Sequence, residues 1–322
     1  MNPELLPPRS VLPDGAVSLA HSAVIRARGA DAGAFLHGQL TNDFTGLGLG
    51  EARLAAYCSP KGRMLASFVG LRRAEGEIWL ACRRDVLAAT LKRLRMFVLR
   101  AKAELVDASD EIALLGLTGQ SALTWLGDAP PPEIWSKRDI GATSVVRLPD
   151  GHGQRRWLWA GPAGEAAAVS QALPGLTLDQ WDWLEVQSGV APVLAATTEA
   201  FVPQMLNYEL VGGVNFQKGC YPGQEIVARS QYRGTIKRRT VLAHASAPMA
   251  AGQEVYWSGD AAQPSGLIAL AAPAPGGGHD ALLEIKLAAL ESGSLHVGRL
   301  DGALLVLLDL PYPVAREPAA NA

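Results

Sequence analysis

The sequence predicts an α+β protein of two or three domains that ends in a small antiparallel β-barrel or sandwich. With 322 residues, the chain is too long for one ordinary core. Helical and strand-like patterns are mixed through about the first 240 residues. Beyond Arg239 only short strands remain, separated by Gly and Pro clusters, which is typical of small barrels and sandwiches.

Two helices are predicted from periodicity and capping. Over residues 85–102, apolar side chains recur at helical spacing after Asp85, whose carboxylate can cap the first turn. Thr177 and Gln180 form a capping box at the start of a helix over residues 177–188. Each helix is therefore expected to bury one apolar face against strands.

The remaining elements follow from shorter signals. Strands are predicted over residues 53–73 around a turn at 59–62, and over 78–82, 111–117, 143–148 and 156–160; short helices are predicted over 31–40, 120–126 and 163–173. The C-terminal strands are predicted over 240–243, 254–257, 266–270, 281–285 and 303–308.

Composition and charge argue against several classes of protein. Apolar residues make up 48% of the chain, and 29 basic against 31 acidic side chains give a net charge of −2. Such a balance provides no overall field for nucleic acid or an anionic membrane. The proline-rich segment 1–15 has no apolar run for a signal peptide or anchor, so a cytoplasmic protein without membrane contact is expected.

The cysteines and histidines predict neither a disulfide framework nor a metal site. There are three cysteines and six histidines, all widely spaced, and no two cysteines have CxxC spacing. Structural zinc and iron–sulfur sites usually draw their ligands from close pairs. We therefore expect no metal requirement.

The segment 212–229 carries the densest chemistry, with the sequence GGVNFQKGCYPGQEIVAR. Gly219 and Gly223 permit backbone conformations that a Cβ disfavours, and a helix is predicted from near Gly223. Cys220 is expected just before that helix and two residues from Lys218. The helix dipole and the ammonium group would both favour the thiolate. A purely structural cysteine is the alternative.

The octapeptide KGCYPGQE at residues 218–225 closely resembles the signature of the YgfZ family, KGCYTGQE, with Pro222 as the one departure. Residues 226–229, and then Arg233 and Gly234, continue the resemblance. GQLTND at 38–43 and AAYCSPKGRM at 55–64 are similar to two further blocks of that family, and FVPQ and GG upstream match the approach to the octapeptide. Most of the first 240 residues are covered.

The resemblance implies a fold and a function. The YgfZ family is related to the glycine-cleavage T protein, in which three domains form a ring around a central hole that binds tetrahydrofolate. It implies two α/β-type lobes and a C-terminal β-barrel, with residues 1–107 and 176–235 in the first lobe, 108–175 in the second and 236–322 in the barrel. The implied partners are a reduced folate and iron–sulfur enzymes, including radical enzymes that modify tRNA, whose maturation or repair the protein would support.

The resemblance also assigns site residues. The family cysteine corresponds to Cys220, which is expected to carry a redox or sulfur-related step beside Lys218. A family tryptophan implicated in folate contact corresponds to Trp181, and a second falls near Ser22. Gln187 stands where T proteins have a pterin-binding glutamate; it keeps an acceptor and a donor but no charge. A core tryptophan is the alternative for Trp181.

One segment of the sequence, which contains Ala66 and Ser67, bears on whether the protein transfers an aminomethyl group. T proteins depend on an aspartate in a segment similar to GGVIDDLIVYR, and Ala66 and Ser67 stand at the matching positions. Neither side chain can steer a proton at the folate nitrogen as a carboxylate can. We therefore predict a folate binder without aminomethyl transfer, and a true aminomethyltransferase is the alternative.

A second alternative is a tRNA-binding module. Arg229, Arg233 and the basic run 237–239 flank Tyr232, a combination that can grip phosphates. An interdomain linker with a solvated face explains the same residues, so direct nucleic-acid binding is not expected.

Overall fold

The computed structural model describes residues 12–74, 76–127, 130–232 and 236–314. Within these residues the strands are β1 Gly15–Ser18, β2 Ser22–Arg28, β3 Ala52–Cys58, β4 Met64–Ala74, β5 Glu77–Arg83, β6 Glu104–Asp107, β7 Ile112–Thr118, β8 Lys137–Ile140, β9 Thr143–Gly151, β10 Gln154–Pro162, β11 Arg238–Ala245, β12 Glu254–Trp257, β13 Gly266–Pro273, β14 His279–Lys286, β15 Leu295–Val297 and β16 Leu304–Leu308. The α-helices are α1 Ala32–His37, α2 Arg84–Met96, α3 Gly119–Leu126, α4 Ala166–Gln171, α5 Leu178–Gln187 and α6 Gln224–Tyr232. None of these helices combines the length and the apolar character that a membrane span requires.

The first lobe is built on an antiparallel sheet with strand order β3-β4-β5-β2-β6. Leu87, Leu91 and Leu94 of α2 are buried against this sheet in one apolar cluster. The helix ends at Met96, although periodicity predicted it to residue 102. The chain has to reverse there so that β6 can pair with β2, and this tertiary pairing overrides the local helical pattern.

The second lobe contains a five-stranded sheet with the order β1-β7-β10-β9-β8. Strand β1 joins it by pairing antiparallel with β7, Ala16 opposite Leu117. The sequence placed residues 1–107 together in the first lobe, so β1 departs from that division. Strand β1 joins the second sheet because Ala16 is buried there, in a core that contains Leu115, Leu117 and Trp157.

The C-terminal part forms a closed antiparallel barrel with the strand order β11-β14-β13-β12-β15-β16. Closure pairs every edge of the sheet, and the interior is filled by small and branched residues such as Val255, Ile268 and Leu283. The barrel that the short C-terminal strands predicted is confirmed.

Helix α5 lies where all three parts meet. Its capping box is formed as predicted, with the Gln180 amide donating to Thr177 Oγ1 at 3.2 Å and the Thr177 amide donating to Gln180 Oε1 at 3.0 Å. Trp181 packs into the cluster shared by the two sheets, whereas Trp183 and Leu184 pack against barrel residues. One helix therefore fixes the junction of the three domains.

Candidate functional site

A central cavity lies between the two sheets and α5. Its polar and aromatic wall residues include Ser22, Ser67, Phe68, Arg83, Trp135, Arg156, Trp181, Glu185 and Tyr208, with apolar side chains between them. The centres of water molecules can occupy about 90 Å³ of it. Since one water needs about 10–15 Å³ by this measure, there is room for about six waters or for a flat bicyclic ring.

Arg156 places an unsatisfied charged donor in this wall. The residue is 3% exposed, its Nε donates to the Pro149 carbonyl at 3.0 Å, and its Nη1 has no hydrogen-bond partner among the described residues. Burial lowers the pKa of the guanidinium to about 10. An unpaired buried donor costs free energy, which a ligand acceptor in the cavity would offset.

An ion-pair network forms another part of the wall. The Arg83 guanidinium donates to the Glu185 carboxylate and lies 3.9 Å from Asp182, which in turn contacts His21 at 2.8 Å. His21, Asp182 and Glu185 offer one possible metal-ligating atom each within 4.8 Å of one another. Because Arg83 already compensates both carboxylates, we assign the trio to the ion-pair network. A ligand N–H could share the Glu185 carboxylate.

Trp181 lies on the cavity wall but is only 2% exposed. A Cβ added at Gly116 would come within 2.5 Å of its ring, and the Arg156 guanidinium lies 4.9 Å from the ring centroid. Tight packing on one side and a cation on the other leave no open face for stacking. In this arrangement Trp181 holds Arg156, and direct contact between Trp181 and folate stays a prediction.

Ala66 and Ser67, which match the acidic positions of T proteins in the sequence, lie in different places in the structure. Ala66 is buried in the first-lobe core, whereas Ser67 lies on the cavity wall and accepts a hydrogen bond from the Val193 amide at 2.9 Å. A neutral hydroxyl therefore faces the cavity where an acid was sought. Ser22 also lines the wall, and Trp135 supplies an aromatic ring to it.

Gln187 is not among the residues that line the cavity; it is tied to the barrel. Its Nε2 donates to Asp280 Oδ2 at 2.8 Å, Trp183 Nε1 donates to the same oxygen at 2.7 Å, and His244 Nδ1 lies 2.7 Å from Oδ1. An amide suits this place because a glutamate would repel Asp280. A folate contact by Gln187 stays a prediction.

Cys220 is exposed in the loop before α6, as the motif predicted. The loop packs backbone against backbone on the turn at residues 59–62. Gly223 has a φ of 80°, and a Cβ there would lie 2.4 Å from the Ser59 carbonyl oxygen and 2.7 Å from Gly62 Cα. Only glycine fits this contact, which joins the octapeptide at 218–225 to the segment 55–64.

Lys218 joins the segment 38–43, and the end of α1 before it, to the same loop. Its Nζ donates to the carbonyls of His37 at 2.6 Å and Leu40 at 3.0 Å, just past the end of α1, and lies 4.6 Å from the centroid of the Tyr221 ring. Burial lowers the pKa of Lys218 to about 8, against the opposing effect of Asp43 and Cys220. The ammonium group that was expected to favour the Cys220 thiolate therefore also holds the loop in place.

The three thiols differ sharply in their surroundings. Cys58 and Cys82 are buried, and burial raises the pKa of each thiol to about 12. At pH 8 we expect iodoacetamide to modify only Cys220 in the native protein and all three thiols after denaturation. Mass spectrometry of the alkylated chain measures this directly. Rapid native labelling of Cys58 or Cys82 would contradict the described core.

The basic run of the tRNA-binding alternative is largely engaged within the protein. Arg238 pairs with Glu284, Arg239 pairs with Glu209, and Arg229 lies 3.1 Å from Glu225. Arg233 and Gly234 lie outside the described residues. These ion pairs leave less positive charge for phosphates than the sequence suggests.

Comparisons with known proteins agree with this architecture. No family model matches the chain. The tRNA-modifying protein YgfZ of Enterobacter sp. (strain 638) is 35% identical over 240 residues, which is 70% of this chain and 71% of that protein. The protein of the same name from Klebsiella pneumoniae (strain 342) is 32% identical over 255 residues, 76% of each chain. Among solved structures, the glycine cleavage system aminomethyltransferase T of Bartonella henselae has a TM-score of 0.71 at 18% identity, covering 93% of this chain and 86% of its own, so the likeness is one of fold.

Proposed function

The chain belongs to the YgfZ family, and from that premise we propose that it is a cytoplasmic tetrahydrofolate-binding protein that supports the maturation or repair of iron–sulfur enzymes, including enzymes that modify tRNA. The observation that carries the proposal is the unpartnered Nη1 of Arg156 in the central cavity. A buried donor atom without a partner is costly in a folded protein, so its presence on a cavity wall favours a bound ligand.

The wall suits a reduced pterin. Such a ring needs a donor for its carbonyl oxygen, an acceptor for its amino and ring N–H groups, and flat apolar surfaces. Arg156 Nη1 would donate, the Glu185 carboxylate would accept, and Trp135 would supply aromatic surface. Tetrahydrofolate, when bound, supplies a carrier for one-carbon groups.

Folate binding is proposed here without aminomethyl transfer. The wall position that corresponds to the T-protein acid is Ser67, whose hydroxyl already accepts a hydrogen bond from the Val193 amide. A hydroxyl in that state offers no base for a proton at the folate nitrogen. We expect no methylene transfer from the aminomethyl-loaded carrier protein to tetrahydrofolate.

The sulfur-related step is assigned to Cys220. It is the exposed thiol of the three, and the clamp between Lys218 and the end of α1 holds its loop against the first lobe. An exposed thiol on a fixed loop can meet a protein partner without opening the fold. The proposed partners are iron–sulfur enzymes that receive or recover sulfur through it.

Arg156→Met tests the folate site. Removing the charged donor should weaken tetrahydrofolate binding by about tenfold or more, because a hydrogen bond to a charged group contributes about 1.5–3 kcal/mol. Tm should change little, since methionine fills similar space and the lost Nε bond to Pro149 is offset by removal of a buried charged donor that has no partner. Fluorescence titration and thermal melts measure the two effects.

Arg155→Met is the matched control, because Arg155 is the exposed neighbour on the same strand. It should leave both affinity and Tm unchanged. Parental folate affinity in a folded Arg156→Met protein would refute the proposed donor.

A further inference from the structure

A second cluster of titratable groups lies beneath the Cys220 loop. His37 Nδ1 lies 2.8 Å from Asp43 Oδ1, and the Thr45 hydroxyl donates to the same carboxylate oxygen at 2.8 Å. Burial opposes ionisation of Asp43, but hydrogen bonds from the Gly46 amide, Thr45 and His37 outweigh it, so the pKa of Asp43 lies well below its usual range. An ionised Asp43 holds the proton of the imidazole on Nδ1, which leaves Nε2 as an acceptor.

The free edge of that imidazole faces the loop. A Cβ built on Gly219 would lie 3.4 Å from His37 Nε2 and 3.9 Å from Cδ2, so the ring lies against the residue that precedes Cys220. Among the described residues, His37 Nε2 makes no hydrogen bond. Lys218 donates to the carbonyl of His37 itself, which fixes the loop over the ring.

We propose that His37 and Asp43 act as an acid–base pair for the Cys220 thiol. His37 Nε2 accepts the thiol proton, and Asp43 positions the ring and stabilises the imidazolium that forms. This inference rests on the proposed function, in which Cys220 is the working thiol. Asp43 is thereby a positioning residue, because it acts through His37.

The step balances without an added oxidant. The Cys220 thiolate attacks one sulfur of a sulfur–sulfur bond, R–S–S–R′, in a partner; a new bond between Cys220 and R–S forms as the old bond breaks. The departing R′–S⁻ takes the proton back from His37 Nε2. The substrate class is therefore a disulfide or persulfide that can approach an exposed loop.

Charged groups approach the imidazole from two segments of the chain. Asp43 lies on the segment after α1, and Lys218 comes from the loop above. Lys218 interacts with both Asp43 and Cys220, and its charged form would support the thiolate while its Nζ is held by the carbonyls of His37 and Leu40. His37 offers a ring nitrogen, Nε2, that makes no hydrogen bond among the described residues.

The test is the pH dependence of Cys220 alkylation by iodoacetamide in the full-length protein. Because Cys58 and Cys82 are buried, native labelling reports Cys220. His37→Gln should slow labelling at pH 7 by about tenfold and change how the labelling rate depends on pH, because the thiol loses its proton acceptor. Asp43→Asn should slow labelling in the same direction, because the imidazolium that forms loses its carboxylate partner.

His296→Gln is the control, because in the described part of the chain the His296 ring bonds within the barrel, to Ser294 and Gly302. It should keep the parental profile. A folded His37→Gln protein with the parental profile overturns the proposal. An unfolded variant would reveal itself by labelling at Cys58 and Cys82, and Asp43→Asn then decides, a parental labelling rate at pH 7 overturning the acid–base pair.

Failure of the proposed function gives a different result. If Cys220→Ser supports iron–sulfur enzymes fully while His37→Gln alters the labelling profile, the acid–base pair stands and the assigned role of Cys220 falls.

Discussion

Asp280→Ala is expected to lower the free energy of unfolding by about 2–6 kcal/mol, because it leaves two buried donors without an acceptor, at about 1–3 kcal/mol each. Asp280 is 5% exposed and accepts from Trp183 and Gln187 of α5 while pairing with His244 of β11. Alanine leaves those buried donors without an acceptor and separates the barrel from the central helix. Thermal and denaturant unfolding measure the loss.

Asp301→Ala is the control for this substitution. Asp301 also belongs to the barrel region, but its side chain is 77% exposed and its pair with Arg299 is a surface pair. Its loss should change stability by less than about 0.5 kcal/mol. An Asp280→Ala protein as stable as the Asp301→Ala protein would mean that the barrel is held to α5 by apolar packing alone.

Cys220→Ser should abolish or sharply reduce complementation of a strain that lacks the protein, while Tm stays within about a degree or two of the parent. The thiol is exposed, so serine changes no packing, and surface substitutions usually alter stability by less than about 0.5 kcal/mol. The loss would therefore be chemical. Growth and the activity of iron–sulfur enzymes in the strain are the measurements.

Cys82→Ser should show the reverse pattern. Cys82 is 6% exposed in the first-lobe core, where a serine hydroxyl would be buried without an assigned partner, at a cost of about 1–3 kcal/mol. We expect a lower Tm with complementation retained at permissive temperature. Full complementation by Cys220→Ser would remove the proposed role of that thiol.

Much of the fold could be predicted because its signals are local. The capping box at Thr177 and Gln180 places α5 to within one residue, and the spacing of turns predicts the barrel strands. The end of α2 and the position of β1 differ from the prediction, and both differences have long-range causes. Helix α2 ends early because β6 must reach β2, and β1 joins the distant sheet of β7, neither of which a local pattern encodes.

The site was only partly visible in the sequence. The octapeptide located Cys220 and Lys218 before a helix, as observed. Arg156 was missed, although period-two alternation places it on the same strand face as Leu158 and Ala160, the face of β10 that packs into the cluster shared by the two sheets. A charged residue in line with apolar strand positions was the sequence signal that could have identified Arg156. The approach of His37 to Gly219 links residues 182 positions apart, so no local pattern could reveal it.

Calorimetric titration of the purified protein with tetrahydrofolate, under anaerobic and reducing conditions, tests the proposed folate site most directly. The arrangement of Arg156, Glu185 and Trp135 around one cavity predicts saturable binding of a single folate per chain. In the same experiment Arg156→Met should bind about tenfold more weakly. A folded parent protein that shows no saturable binding of tetrahydrofolate would contradict the account.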